Sequence, residues 1–361
     1  MTMVSNNRRT FTLPETYSRS ISSELEARGF SIHKPAKIAE AVTRLSTMYV
    51  EKPEAATPWH ETWAQAASLA YFFPLNFARN KSVALEAERL GFFKGLNKYY
   101  DFGSGTGSAL FAFLDVLKST PQLEAYAQDI DQDSLRLAQR LKSEDTPQYQ
   151  LLQSQTWPTT TQGTFLSASY VLTELPELPR EWLKFEALAI VEPSTRLDGR
   201  KLMNHRKTLI ENGYHIWAPC THQDACPMLV NSDRDWCHDR IHWNPPTWLA
   251  AIEKHLPMKN RTLTFSYLLA RRDQPAPEAV QQLARLTGDM LVEKGKTRQS
   301  ICRGPEREFL SWFPQRLSKG EAIDLQRGSL VRLSGELEKK ATEVRVSSAS
   351  SVEEIPPQKP F

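Results

Sequence analysis

The sequence contains no Cys-x2-4-Cys pair, no internal repeat, no long apolar run and no large excess of either charge. Each absence excludes something. Zinc ribbons and knuckles are built on Cys-x2-4-Cys pairs, so that spacing class is missing. A membrane helix needs roughly 20 apolar residues, and no stretch approaches this, so no membrane partner is expected. The opening MTMVSNNRRTFTLPE has no apolar h-region and does not read as a secretory signal. Its basic and hydroxyl residues meet Glu15 too soon for a transit peptide, so a bacterial cytoplasm is the expected compartment. Thiols stay reduced there, and the four cysteines are expected to be free or metal-bound. A net charge of +3 does not by itself indicate a nucleic-acid partner.

What is present describes a globular protein of several units. A chain of 361 residues, 40% hydrophobic and 24% charged, is too long for one simple core. Residues 1–95 carry apolar spacings of three and four in SRSISSELEARGF, IAEAVTRLSTMYV, HETWAQAASLAYFF and ARNKSVALEAERLGFF, which predict a helical N-terminal unit. From 96 to 272, short apolar runs (NKYYDFG, LEAYAQD, QYQLLQS, FLSASYVL, FEALAIVEP, GYHIWAP, TLTFSYLLA) alternate with amphipathic stretches. Strand and helix in alternation predict an α/β fold, a mostly parallel sheet covered on both faces. The last two strands lack a helical crossover, which predicts an antiparallel pair carrying a Cys-rich insertion at about 218–256. Residues 273–337 read as a small β-rich segment, and the Ser-, Glu- and Pro-rich residues 338–361 as a mobile tail. From Glu293 to Arg332 nine Lys/Arg stand against five acids, and RKLMNHRK at 200–207 is also basic. Either cluster can be a phosphate-binding face or ordinary solvated surface.

Asp101-Phe102-Gly103-Ser104-Gly105-Thr106-Gly107 follows the first strand of the α/β region and opens a helix. Glycines at alternate positions let the backbone turn sharply and approach a ligand closely. The dinucleotide fingerprint GxGxxG aims a helix N-terminus at a pyrophosphate. Here the spacing is D-x-G-x-G-x-G, and the acid suits the cationic amino-acid end of S-adenosylmethionine, which carries no phosphate. The second strand ends in Gln128-Asp129-Ile130-Asp131, where a carboxylate can accept both ribose hydroxyls. Its spacing from Leu135 favours Asp129 over Asp131. The other reading is a glycine-rich turn in a different doubly wound domain. Candidate cofactor residues are therefore Asp101, Gly103, Ser104, Gly105, Gly107 and Asp129, together with Ser169 and Tyr170 at the end of the fourth strand. An Asn/Asp-Pro-Pro-aromatic motif often stands at that fourth-strand position in methyltransferases that act on exocyclic base nitrogens. Here it reads SYVLTEL, and no catalytic group can be named. Asn244-Pro245-Pro246-Thr247 is similar only superficially and reads as a turn before a helix.

Cys220, Cys226 and Cys237 are spaced C-x5-C-x10-C, and Cys302 follows after 64 intervening residues. With His222 and His238 they could ligate a metal, or they could be buried thiols acting as small hydrophobes.

The chain resembles the methyltransferase-like assembly factors of the small ribosomal subunit, found in mitochondria and many bacteria. The matching residues are DFGSGTG at 101–107, SYVLTELP at 169–176, VEPST at 191–195, APCTH, ACP and DWCH between 218 and 238, and the isolated Cys302. They span about Tyr99 to Cys302. Where the family has VEPGTP, this chain has Ser194 and Arg196. The resemblance implies a class I methyltransferase sheet, S-adenosylmethionine, and a structural 4Fe-4S cluster on Cys220, Cys226, Cys237 and Cys302. It also implies a role on the small ribosomal subunit, contacting its RNA during maturation; off the ribosome a monomer is expected. Two other readings stand beside it. One is an active S-adenosylmethionine-dependent rRNA methyltransferase; the other is a zinc-stapled RNA-binding protein with a vestigial nucleotide pocket.

Overall fold

The computed structural model of the chain describes residues 9–52, 54–143, 146–152, 162–276 and 282–356. After a two-residue strand β1 (Thr10–Phe11), the amphipathic N-terminal stretches form α1 (Glu15–Glu26), α2 (Pro35–Glu51), α3 (Thr62–Ala67) and α4 (Phe73–Leu90). Pro35 starts α2, where its fixed φ suits the first turn, and Gly91 closes α4 at φ +74°. A π-helical turn, Ser68–Phe72, joins α3 to α4. Pro74 has no N–H to return to the preceding turn, which accounts for the wider register just before it.

The α/β region follows as β2 (Lys98–Phe102), α5 (Ser108–Leu117), β3 (Glu124–Gln128), α6 (Gln132–Leu141), β4 (Gln150–Leu152), β5 (Thr164–Ser169) and β6 (Ala187–Glu192). It continues with α7 (Arg196–Glu211), β7 (His215–Ala218), α8 (Pro227–Val230), β8 (Asp239–Trp243), α9 (Thr247–Glu253) and β9 (Thr262–Arg271). The strand order is β4-β3-β2-β5-β6-β9, with β7 also on β9. Strands β2 to β6 are parallel and β9 is antiparallel, which is the class I methyltransferase arrangement. The order reverses between β2 and β5, so a crevice opens there beyond the strands' carboxyl ends.

The far edge of β9 is unusual. Its C-terminal half pairs with β7 and its N-terminal half with β8, both antiparallel. β7 and β8 thus lie end to end as one interrupted strand, and residues 219–238, with three cysteines, form the excursion between them. The sequence-based reading missed β8, and β1 pairs parallel to its outer side.

Helices α1 to α4 share one apolar core with α5, α6, α9 and one face of the sheet, including Ile21, Leu45, Phe77, Phe113 and Phe165. A second core on the opposite face gathers Leu166, Trp182, Met203, Tyr214, Cys220 and Cys226. A third belongs to an eight-stranded C-terminal sheet. Its strands are β10 (Leu283–Leu286), β11 (Leu291–Glu293), β12 (Lys296–Cys302), β13 (Glu308–Trp312), β14 (Leu330–Leu333), β15 (Leu337–Lys340), β16 (Glu343–Val346) and β17 (Val352–Ile355). This corrects the expectation of a mobile tail from 338. β16 adds parallel to β13, β17 adds antiparallel to β14, and Val344 and Val346 are buried. Polar composition hid an alternating strand, EVRV, whose apolar half faces the core. Residues 357–361 of the expected tail lie outside the described residues.

Candidate functional site

The glycine loop sits at the switch point. Gly103, Gly105 and Gly107 adopt φ of +64°, +52° and +83°. A Cβ on Gly103 would lie 2.6 Å from Val171, and one on Gly107 2.8 Å from the Phe111 ring. Here only glycine combines the left-handed backbone with that close approach. Ser104 N donates to Gln128 O at 2.9 Å, which ties the loop to the end of β3. Asp129 accepts from Gly105 N at 2.8 Å and Asp131 N at 2.9 Å. Asp131 instead caps α6, accepting from Asp133 N and Ser134 N. That division assigns the helix start to Asp131 and leaves Asp129 facing the loop.

A cavity of about 470 Å³ opens beside these groups, lined by Gly103, Ser104, Gly105, Asp129, Ser169 and Tyr170 among others. Asp101 does not line it. It lies buried beneath the loop, accepting from Ser167 Oγ, and burial pushes its carboxyl up to about 6. Gly107 is also outside the lining and starts α5. Ser169 Oγ accepts from Asn80 at 2.9 Å, and Tyr170 holds φ +63° while its amide donates to Val191 O. The N-terminal unit contributes Tyr49 of α2, Trp59 from the segment before α3, Phe72 and Asn76 to the same cavity. Sequence reasoning missed them, because periodicity marks such aromatics as core and cannot say that they roof a pocket. Ile130, 83% exposed, leaves apolar surface on the rim.

Behind the cavity, Glu192 is almost fully buried and accepts from Leu172 N at 2.9 Å and Val171 N at 3.2 Å. It thereby fixes the chain after β5. Burial pushes its carboxyl up to about 8, and its second oxygen has no hydrogen-bond partner among the described residues.

The four thiols are free and come from four places, the end of β7, the start of α8, the start of β8 and the end of β12, near enough for their charges to act on one another. Burial raises Cys226, Cys237 and Cys302 above the ordinary thiol value, and the charges of neighbouring cysteines add to the effect. Among the described residues no group of His, Cys, Asp or Glu is placed to hold a single metal ion. Arg206 donates from Nε to Cys220 Sγ at 3.2 Å and from Nη2 to His222 O at 2.9 Å. His222 Nε2 lies 3.3 Å from Cys302 Sγ, and Thr221 Oγ1 donates to Cys302 O. Arg200 binds the carbonyls of Met228, Ser232 and Asp235, which clamps the excursion onto α7. Trp236 donates to Ser194 O at 2.6 Å and lies against Gly199, where a Cβ would meet it at 2.8 Å. Ser194 also donates to Thr264, and Thr195 caps α7, so the altered VEPST turn is fully engaged.

The basic stretch at 200–207 is therefore mostly internal. Arg200 and Arg206 hold the cysteine excursion, and Lys201 donates to Leu172 O and Leu175 O. The C-terminal excess is largely ion-paired: Lys296 with Glu343, Arg298 with Glu293, Arg303 with Glu308, Arg307 with Asp235 and Arg332 with Glu353.

A family model described as mitochondrial small ribosomal subunit Rsm22 matches residues 65–327. The chain belongs to the Rsm22 family. That match extends beyond Tyr99–Cys302 on both sides, into the N-terminal helices and the C-terminal sheet. No curated protein matches the chain. Among solved structures, it is similar to a presumed RNA methyltransferase from Pyrococcus horikoshii, at 11% identity and a TM-score of 0.35 over 66% of this chain and 98% of that one. It is also similar to a SAM-dependent methyltransferase from Aquifex aeolicus, at 18% identity and 0.29 over 38% and 84%. A third is a SAM-dependent methyltransferase from Thiobacillus denitrificans in complex with S-adenosyl-L-homocysteine, at 9% identity and 0.30 over 53% and 90%. Among the described residues no helix is long and apolar enough to cross a membrane.

Proposed function

We propose that this Rsm22 family member is a maturation factor that contacts RNA of the small ribosomal subunit in a bacterial cytoplasm. In this reading it carries S-adenosylmethionine in the glycine-loop cavity and a 4Fe-4S cluster on Cys220, Cys226, Cys237 and Cys302. The observation that carries the reading is the meeting of four free thiols from two separate sheets, in a chain of a small-subunit family.

The donor set fits the group. Four cysteine thiolates are the usual ligands of an iron–sulfur cluster. When bound, the cluster would supply iron–thiolate bonds that tie the excursion at 219–238 to β12. The rest falls to the chain's own residues. Arg200 and Trp236 hold the excursion on α7, and Thr221 joins it to the Cys302 backbone. Because burial raises three of the thiols, metal loading must release protons and is coupled to folding of this region.

In the cavity, Asp129 would offer its carboxylate to ribose hydroxyls, replacing its bonds to Gly105 N and Asp131 N. Ile130 offers apolar surface to a purine, and the glycines admit the ligand close to the backbone. The volume of about 470 Å³ falls within the range of small-molecule sites.

Anaerobic purification with iron, sulfide and zinc analysis tests the centre of this reading. Iron and sulfide in equal amounts are expected, and Cys302→Ser should lose both the cluster and co-sedimentation with small subunits. A colourless, iron-free chain with unmetallated thiols would sink the proposal; zinc in place of iron would leave only the stapling role. Labelled methyl appearing in small-subunit RNA would make the chain an enzyme as well.

A further inference from the structure

Three arginines of the described chain are buried: Arg206, Arg271 and Arg285. Two have carboxylate partners, Arg271 with Glu186 and Asp273, and Arg285 with Glu86. Arg206 has none within ion-pair distance among the described residues. It is 2% exposed, its Nε–H points at Cys220 Sγ at 3.2 Å, and a terminal nitrogen donates to His222 O at 2.9 Å. A buried guanidinium without a counter-charge is strongly unfavourable. The group placed to balance it is Cys220, whose sulfur receives its Nε–H and would carry negative charge as a thiolate ligand of the cluster.

We infer that Arg206 is the counter-ion of the four-cysteine site and, through its N–H to Cys220, sets the reduction potential there. This rests on the cluster reading above. Net charge and hydrogen bonds to the sulfurs are among the factors that set such potentials. A four-thiolate cluster is net negative, and uptake of one electron makes it more so. A fixed positive charge and an N–H to sulfur both favour that reduced state, so Arg206 raises the potential. Arg285 also lies near Cys302, but its donors are taken by Glu86, Pro219 O and Gly328 O. It adds charge without a bond to sulfur. Arg206 is a positioning residue by this assignment, acting on the site through Cys220.

The test uses the full chain, purified anaerobically, with Arg206→Gln and Arg206→Lys beside it. Each is titrated with dithionite against redox mediators while visible absorption and electron paramagnetic resonance are followed, and iron per chain is measured. Arg206→Gln is expected to keep its iron. At the wild-type midpoint its reduced-to-oxidised ratio should fall about tenfold, a shift of about 59 mV for one electron. Arg206→Lys keeps the charge but loses the planar fork, and should fall between the two. An iron-bearing Arg206→Gln with an unchanged midpoint overturns the inference. If that variant loses its iron, Arg206→Lys is judged by the same criterion. Wild-type protein labelled in arginine nitrogen decides the matter if neither variant loads. A guanidinium nitrogen coupling in the pulsed spectrum of the reduced cluster supports the inference, and its absence overturns it. An iron-free wild-type chain is a separate result and removes the cluster reading itself.

Discussion

Glu192 shows what a single residue can contribute without touching a ligand. Its carboxyl anchors the two amides that follow Tyr170 and is pushed up to about 8 in the fold, first by burial, from an ordinary 4.5. The folded state therefore binds more protons than the unfolded chain at this group. Its contribution is complete below the unfolded value and is lost as pH rises through the folded one, with each unit of displacement equivalent to about 1.4 kcal/mol. Glu192→Gln keeps an acceptor for the amides and cannot ionise. Its melting temperature should match wild type near the ordinary value of 4.5 and exceed it increasingly towards the folded value of about 8. Parallel stability curves across that window would disprove the assignment. At this scale the sequence was informative about Asp129, because strand end, acid and apolar helix face come in a fixed order. It was silent about which carboxylates are buried. Asp101 looked like a ligand from its place in the loop, yet it lies beneath the cavity lining, bonded to Ser167.

Among the elements, the segment between α2 and α3 carries the most consequence for the cavity. Trp59 comes within 3.7 Å of the position a Gly105 Cβ would take. Its carbonyl accepts from Gln65, whose amide oxygen accepts from Arg28, and Tyr49 bonds Thr57 across the same segment. Three helices thus hold one aromatic side chain over the glycine loop. Trp59→Ala should weaken S-adenosylmethionine binding about tenfold, roughly 1.4 kcal/mol, with secondary structure unchanged. Calorimetric titration measures it, and equal affinity would remove Trp59 from the site. The strands of the parallel sheet were legible because both faces are covered and each reads as an apolar run. β8 was not. Its five residues, DRIHW, alternate inward and outward within a Cys-rich stretch, and their partners in β9 come 20 to 26 residues later.

The whole molecule is joined at a few buried charges. Arg285 of β10 reaches Glu86 on α4 at 2.5 Å, Pro219 O at the start of the cysteine excursion at 3.1 Å, and Gly328 O at 3.0 Å. Arg9 similarly joins Asp239 and Arg327 O. Arginines 285 and 89 hold the Glu86 carboxyl well below its usual range, although burial opposes them. Arg285→Met should cost about 3–5 kcal/mol, because it leaves a buried carboxylate short of a partner. Thermal unfolding and limited proteolysis between the two sheets read this out. A melting temperature within experimental error of wild type would show that the C-terminal sheet is held by other contacts.

Local pattern alone determined the helical start, the alternation of strands and helices apart from β8, the glycine loop and the acid after the second strand. Each of these depends on spacings within about twenty residues, where periodicity and turn chemistry act directly. The tertiary structure decided that residues 337–355 carry three strands, that β7 and β8 form one interrupted strand, and that the basic helix α7 turns Arg200 and Arg206 inward. It also brought Cys302 to the other three thiols. Charge and polarity in a sequence do not state direction. Only packing shows which side of a helix or strand is desolvated, and therefore which cations meet solvent and which meet sulfur.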